Sequence, residues 1–106
     1  MKHKIKLSYE ALLFISGACR NVQIWIKDFP TEDQNYRALI YDLAKPIYAR
    51  VFPKLATTAG ATMGFYAFEL RFLEACALSC TVIDPITARE ILTLVQPKII
   101  NVHGST

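Results

Sequence analysis

Residues 62–80 read Thr-Met-Gly-Phe-Tyr-Ala-Phe-Glu-Leu-Arg-Phe-Leu-Glu-Ala-Cys-Ala-Leu-Ser-Cys. Phe65, Phe68, Phe72 and Cys76 follow one another at steps of three and four, so a helix over this span lines them up on one side. Leu70, Leu73 and Ala77 widen the stripe, and only Glu69, Arg71 and Glu74 carry charge. A helix apolar around so much of its circumference belongs in the middle of a helical domain. This stretch therefore sets the expected class as all-α, a small bundle of four or five helices.

Upstream, Thr57 to Thr62 is small and uncharged and reads as a loop, with Gly60 and Gly64 four apart as a small-residue ladder. Before it, Thr31-Glu32-Asp33-Gln34 has the form of a capping box. It predicts a second helix from Glu32 to about Lys45, with Tyr36, Leu39, Ile40 and Leu43 as its apolar stripe. Pro46 lacks a backbone donor and is expected to kink that helix, because Ile47, Val51, Phe52 and Leu55 continue the period beyond it. The first helix is expected from Tyr9 to about Asp28, capped by Ser8, with Ala11, Phe14, Ile15, Ala18, Val22, Trp25, Ile26 and Phe29 on one side. Val22 to Ile26 also alternates as a strand would, and helix is the preferred reading.

Downstream, Asp84-Pro85 marks a helix start, since Asp caps and Pro fits the first helical position. That helix is expected to bury Ile86, Ile91, Leu92 and Val95 and to stop at Gln96-Pro97. Lys98 to Val102 is β-branched and is a candidate to pair with residues 4–7, where Ile5 and Leu7 alternate with Lys4 and Lys6. The organisation expected is one helical domain over 1–106, with an extended arm at 1–7 and a flexible tail at 103–106. No internal repeat is visible.

Composition narrows the function classes. The chain has 106 residues, 53% hydrophobic, with mean hydropathy +0.26 and net charge +3. Four Gly and five Pro argue against turn-rich β architectures. Residues 1–54 hold nine basic and five acidic side chains, and the remainder three and four, so the positive excess sits in the first half. The longest uncharged run, Leu55 to Phe68, is too short for a membrane span. Lys2, Lys4 and Lys6 precede an apolar stretch as in a signal peptide, but Glu10 interrupts it, so secretion is not expected. Cys19, Cys76 and Cys80 are an odd set without a disulfide framework, which points to free thiols in a reducing, cytoplasmic setting.

Catalytic and metal-binding groups are sparse. Cys76 and Cys80 share a helix face, but no third or fourth ligand lies near them in sequence. The two histidines, His3 and His103, are terminal, leaving a cysteine nucleophile without an evident base. Glu69 and Glu74 diverge around a helix and read as solvated charges, with Arg71 set to pair with Glu74. No catalytic residue, metal site or cofactor is expected.

The function expected is therefore that of a non-enzymatic interaction or assembly subunit. It would bury an apolar face against a second copy or a protein partner, with Trp25, Phe65, Phe68 and Phe72 as interface anchors. The alternative is a small nucleic-acid-binding accessory protein that uses Arg37, Lys45, Arg50 and Lys54 among neighbouring tyrosines.

Overall fold

The computed structural model describes the backbone of residues 2–104 and the side chains of residues 2–99. The protein is mostly helical, at 72%, with five helices and a two-stranded antiparallel sheet among the described residues. Strand β1 (His3–Leu7) leads into α1 (Tyr9–Arg20), a short α2 (Val22–Trp25) and a 3-10 turn (Ile26–Asp28). Helix α3 (Gln34–Val51) and a second 3-10 turn (Phe52–Thr57) follow. Then come β2 (Ala61–Phe65), α4 (Ala67–Ser79) and α5 (Pro85–Gly104).

Each helix start has a local cause. Ser8 is extended and its Oγ accepts from the Ala11 amide at 3.1 Å, opening α1. Asp33, rather than Thr31, caps α3, its carboxylate accepting from the amides of Asn35 at 2.9 Å and Tyr36 at 3.2 Å. The helix consequently begins at Gln34, two residues later than the capping-box reading placed it. Asp84 accepts from the Thr87 amide at 3.1 Å, and Pro85 is the first residue of α5.

Two prolines that were expected to bend or stop helices lie inside them. Helix α3 runs through Pro46, and α5 runs through Pro97 to Gly104. In both cases the proline and the residue four before it, Asp42 or Thr93, are exposed. Water can then serve the carbonyl that loses its amide donor. The segment from Lys98 is therefore the end of α5, not a strand. Residues 103 and 104 close that helix, and residues 105 and 106 of the expected tail lie outside the described residues.

The N-terminal arm does pair, but with a segment read from sequence as loop and helix. Strand β1 joins β2 with His3 opposite Phe65, Lys4 opposite Gly64, Ile5 opposite Met63, Lys6 opposite Thr62 and Leu7 opposite Ala61. Ile5, Leu7, Met63 and Phe65 point inward and are buried. Gly60 makes the entry to β2, with φ +78° and an absent Cβ that would lie 2.5 Å from the Leu7 carbonyl oxygen. The Gly60–Gly64 ladder thus belongs to a turn and a strand, and it packs no helices together.

The pairing shows a repeat that the residues conceal. Residues 3–7 and 61–65 are both strands with inward positions at the same places. Each is followed by an extended cap, Ser8 or Tyr66, with nearly equal angles (φ −69°, ψ 166° and φ −72°, ψ 163°), and then by a helix of 12 or 13 residues. Each strand opens a β-α-α unit, with an extra short α2 and a 3-10 turn in the first, and the antiparallel register places a local pseudo-dyad of the strand pair between Ile5 and Met63. Between residues 3–21 and 61–79, only Leu12/Leu70 and Phe14/Phe72 are identical pairs.

The core lies between the underside of the ribbon and the helices. Leu12 and Ile15 of α1, Ile40, Ile47 and Val51 of α3, Leu70, Phe72 and Leu73 of α4, and Ile91 and Val95 of α5 are all fully buried.

Candidate functional site

Three of the four expected interface anchors are interior. Phe65 and Phe72 have no exposed surface and Trp25 only 7%, so they are unavailable to a partner. Trp25 packs on Phe29 and Phe72, with ring centroids 6.4 and 6.3 Å away. Its indole N–H donates to the Ala18 carbonyl at 2.8 Å. Phe65 is buried on the inward face of β2, and Phe72 and Trp25 on the inward faces of α4 and α2. Phe68 is 47% exposed and stacks on Tyr66, ring centroids 5.7 Å apart.

The exposed apolar surface is concentrated elsewhere. Val82 is 95% exposed and Ile83 80%, both in the α4–α5 turn, and Ile86 in the first turn of α5 is 83% exposed. Ile86 was expected to be buried, but Thr87, Ala88, Ile91 and Val95 take the inward positions of α5. Next to this turn, the C-terminal half of α1, α2 and the end of α4 frame a groove of about 470 Å³. Leu13, Ile24, Cys80 and Ile83 line it, together with Asp28 at its polar margin. Ser79 also lines it, and its Oγ is buried with no hydrogen-bond partner among the described residues.

The basic set proposed from sequence is divided. Arg37 holds the α2–α3 connection by donating to the carbonyls of Ile26, Phe29 and Thr31, the last two at 2.9 and 2.7 Å. Arg50 pairs with Glu69 at 2.9 Å, donates to the Gly64 carbonyl and lies 4.9 Å from the centre of the Phe65 ring. Both guanidiniums are committed to the fold. Lys45 and Lys54 are exposed. Glu69, expected to be solvated, is 8% exposed and also accepts from the Tyr66 amide at 2.8 Å. The Arg71–Glu74 pair forms as its spacing predicts, at 3.5 Å.

A different basic surface emerges where β1 and β2 pair. Since Ile5 and Leu7 point inward, Lys4 and Lys6 point outward, and both are exposed. On β2 the outward neighbours are Gly64 beside Lys4 and Thr62 beside Lys6. Lys2 extends the row: its aliphatic stem lies over Gly64, and its Nζ sits 5.2 Å from the centre of the Tyr66 ring. The outward face thus presents three ammonium groups, one hydroxyl, one bare glycine and one aromatic ring, with no carboxylate among these positions.

The cysteines are all free and buried. Burial pushes the Cys19 thiol up to about 12, and it also raises Cys76, whose ionisation is further opposed by Cys19 and Cys80. Cys80 is raised by burial as well. Such thiols are protonated at neutral pH and behave as small apolar side chains. Among the described residues, no group of three or more His, Cys, Asp or Glu could hold a metal ion. No helix among them is long and apolar enough to cross a membrane. No family model, curated protein or solved structure matches the chain, so no relative lends it a function.

Proposed function

We propose that the protein is a non-enzymatic binding domain that grips nucleic acid with the outward face of its β-ribbon. The observation that carries this reading is the row Lys2, Lys4 and Lys6, exposed on a two-stranded ribbon whose other face is sealed into the core. Two strands lie about 4.8 Å apart, and with their side chains they fit a major groove about 12 Å wide. Lysines along such a ribbon neutralise phosphates and displace condensed counterions, which makes binding depend steeply on salt.

The test is fluorescence anisotropy of a labelled duplex titrated with protein between about 50 and about 200 mM salt. Wild-type affinity falls steeply over that range. In the triple variant Lys2→Ala, Lys4→Ala, Lys6→Ala the salt slope drops by about one for each lysine that had met a phosphate. No binding at the low-salt end, or a triple variant that binds like wild type, refutes the reading.

A second, compatible role as an assembly subunit is supported by the apolar face at Val82, Ile83 and Ile86. A surface this apolar beside a groove favours contact with a protein, a second copy of this chain included. Three free buried thiols support a cytoplasmic setting.

A further inference from the structure

We infer that the ribbon reads duplex DNA at a site without dyad symmetry, its two strands recognising different base sequences. This inference rests on the nucleic-acid reading above and adds the class of ligand and the form of its site.

The argument starts from the pseudo-dyad between Ile5 and Met63. That axis carries Lys4 onto Thr62 and Lys6 onto Gly64, a constant offset of 58 positions. The backbones of the two strands are equivalent, and so are their inward residues, Ile5 with Met63 and Leu7 with Phe65. The outward residues are not equivalent. One strand offers two ammonium groups; the other offers a hydroxyl and no side chain at all. A dimer of identical ribbons would show the same side chains to both halves of its site, and a palindrome would answer it. This ribbon comes from one chain and presents unlike halves.

The chemistry of each half follows. A lysine in the major groove donates to O6 and N7 of guanine, so the β1 half favours guanine. Thr62 can donate or accept, and its methyl can meet a thymine methyl, so its half carries a weaker preference. Gly64 removes a contact and opens space, which the stem of Lys2 occupies on its way to Tyr66. Lys2 is held at the end of the ribbon, where a backbone phosphate rather than a base edge is within its reach. Duplex RNA is a poor fit, because its major groove is too deep and narrow for a ribbon to read.

The experiment is selection of bound duplexes from a randomised DNA library with the full chain, followed by affinity measurement on the selected site and on its mirror-symmetrised versions. The expected product is an asymmetric motif with guanine concentrated in one half. Lys4→Ala and Lys6→Ala each flatten the preference at one guanine by about tenfold, whereas Thr62→Ala acts only in the other half. Lys2→Ala weakens all sequences alike. Thermal melts of each variant show that these exposed substitutions leave the fold intact. A palindromic motif, or ribbon-dependent binding without any motif, overturns this inference while leaving the nucleic-acid reading in place. Absence of duplex binding, or binding that ignores all three lysines, removes both. A preference for duplex RNA over DNA also overturns the inference.

Discussion

Arg37 decides between a residue that touches nucleic acid and one that holds the fold. Its guanidinium donates to three carbonyls, those of Ile26, Phe29 and Thr31. These belong to the connection that carries Trp25, Ile26 and Phe29 into the core. Replacement by Ala removes all three bonds. A hydrogen bond from a charged donor contributes about 1.5–3 kcal/mol, but Arg37 is only half-buried and water can reach some of the carbonyls it leaves. The net loss should be about 2–4 kcal/mol, or a fall in Tm of about 10–20 °C for a domain of this size. Urea unfolding should show a lower midpoint at an unchanged slope, the mark of lost stability without a change in compactness. Arg37→Lys should recover less than half of the loss, because one ammonium cannot span three acceptors in the guanidinium's fork. Duplex affinity, measured where the variant is still folded, should remain within about twofold of wild type, a factor worth less than about 0.5 kcal/mol. A variant as stable as wild type, or one with normal stability and weakened duplex binding, would refute this assignment.

Other substitutions probe the remaining features. Gly60→Ala combines φ +78° with a Cβ 2.5 Å from the Leu7 oxygen, so chemical denaturation should show a loss of about 1–3 kcal/mol as the ribbon's entry is forced to shift. Gly17→Ala meets nothing within 4 Å inside α1 and should stabilise by about 0.5–1 kcal/mol in the same assay. The raised thiols make stability fall in alkali. Below the ordinary thiol value of 9.0 the contribution of Cys19 is complete, and it is lost as pH rises from there towards about 12, where the unfolded thiol ionises and the folded one does not. Cys76, Cys80 and Tyr36 shift in the same direction. Melts at rising pH should steepen downward above pH 9, and Cys19→Ala should reduce the slope by up to about 1.4 kcal/mol per pH unit. The triple change Val82→Ser, Ile83→Ser, Ile86→Ser should leave Tm nearly unaltered because all three side chains are exposed, yet abolish any concentration-dependent association seen by sedimentation.

The helices were legible wherever a local rule was decisive. Ser8 and Asp84-Pro85 mark true helix starts, but the single helix expected from Tyr9 to about Asp28 ends at Arg20, where Asn21 leaves helical geometry, and α2 and a 3-10 turn carry the apolar period on to Asp28. Strand β2 was hidden because Phe65 fits a helical stripe with Phe68, Phe72 and Cys76 as well as it fits alternation with Met63. Only pairing with a segment 58 positions away selects the strand, and no local propensity encodes that. Pro97 misled because a proline's cost depends on whether water reaches the freed carbonyl, a property of the folded surface, whereas α3 continues through Pro46 to Val51 as the apolar period beyond that proline implied. The candidate ribbon was half visible: Lys4 and Lys6 alternate with Ile5 and Leu7, but the partner that turns them into a surface was not. Arg37 and Arg50 looked available because sequence shows a charge without showing what it bonds. Likewise, aromatic stripes identify a buried face without telling whether the chain itself or a partner buries it.

The two β-α-α units explain why the basic and apolar surfaces lie where they do. Strand pairing within one chain needs no second molecule, so the ribbon exists at any protein concentration. The two units differ in the charge of their outward strand positions and in the length and cover of the connections between their helices. In the first unit, residues 21–33 fold back over the core and are fastened by Trp25 and Arg37. In the second, residues 80–84 make a short turn that leaves Val82 and Ile83 exposed. Helices α1 and α4 start beside the ribbon and end beside the groove, about 18 Å farther along for twelve residues at 1.5 Å each. The basic face and the apolar face are built from separate residues, Lys2, Lys4 and Lys6 on the ribbon and Val82, Ile83 and Ile86 at the α4–α5 turn. Charge substitutions on the ribbon and serine substitutions at the turn should therefore act additively, each abolishing its own interaction and sparing the other.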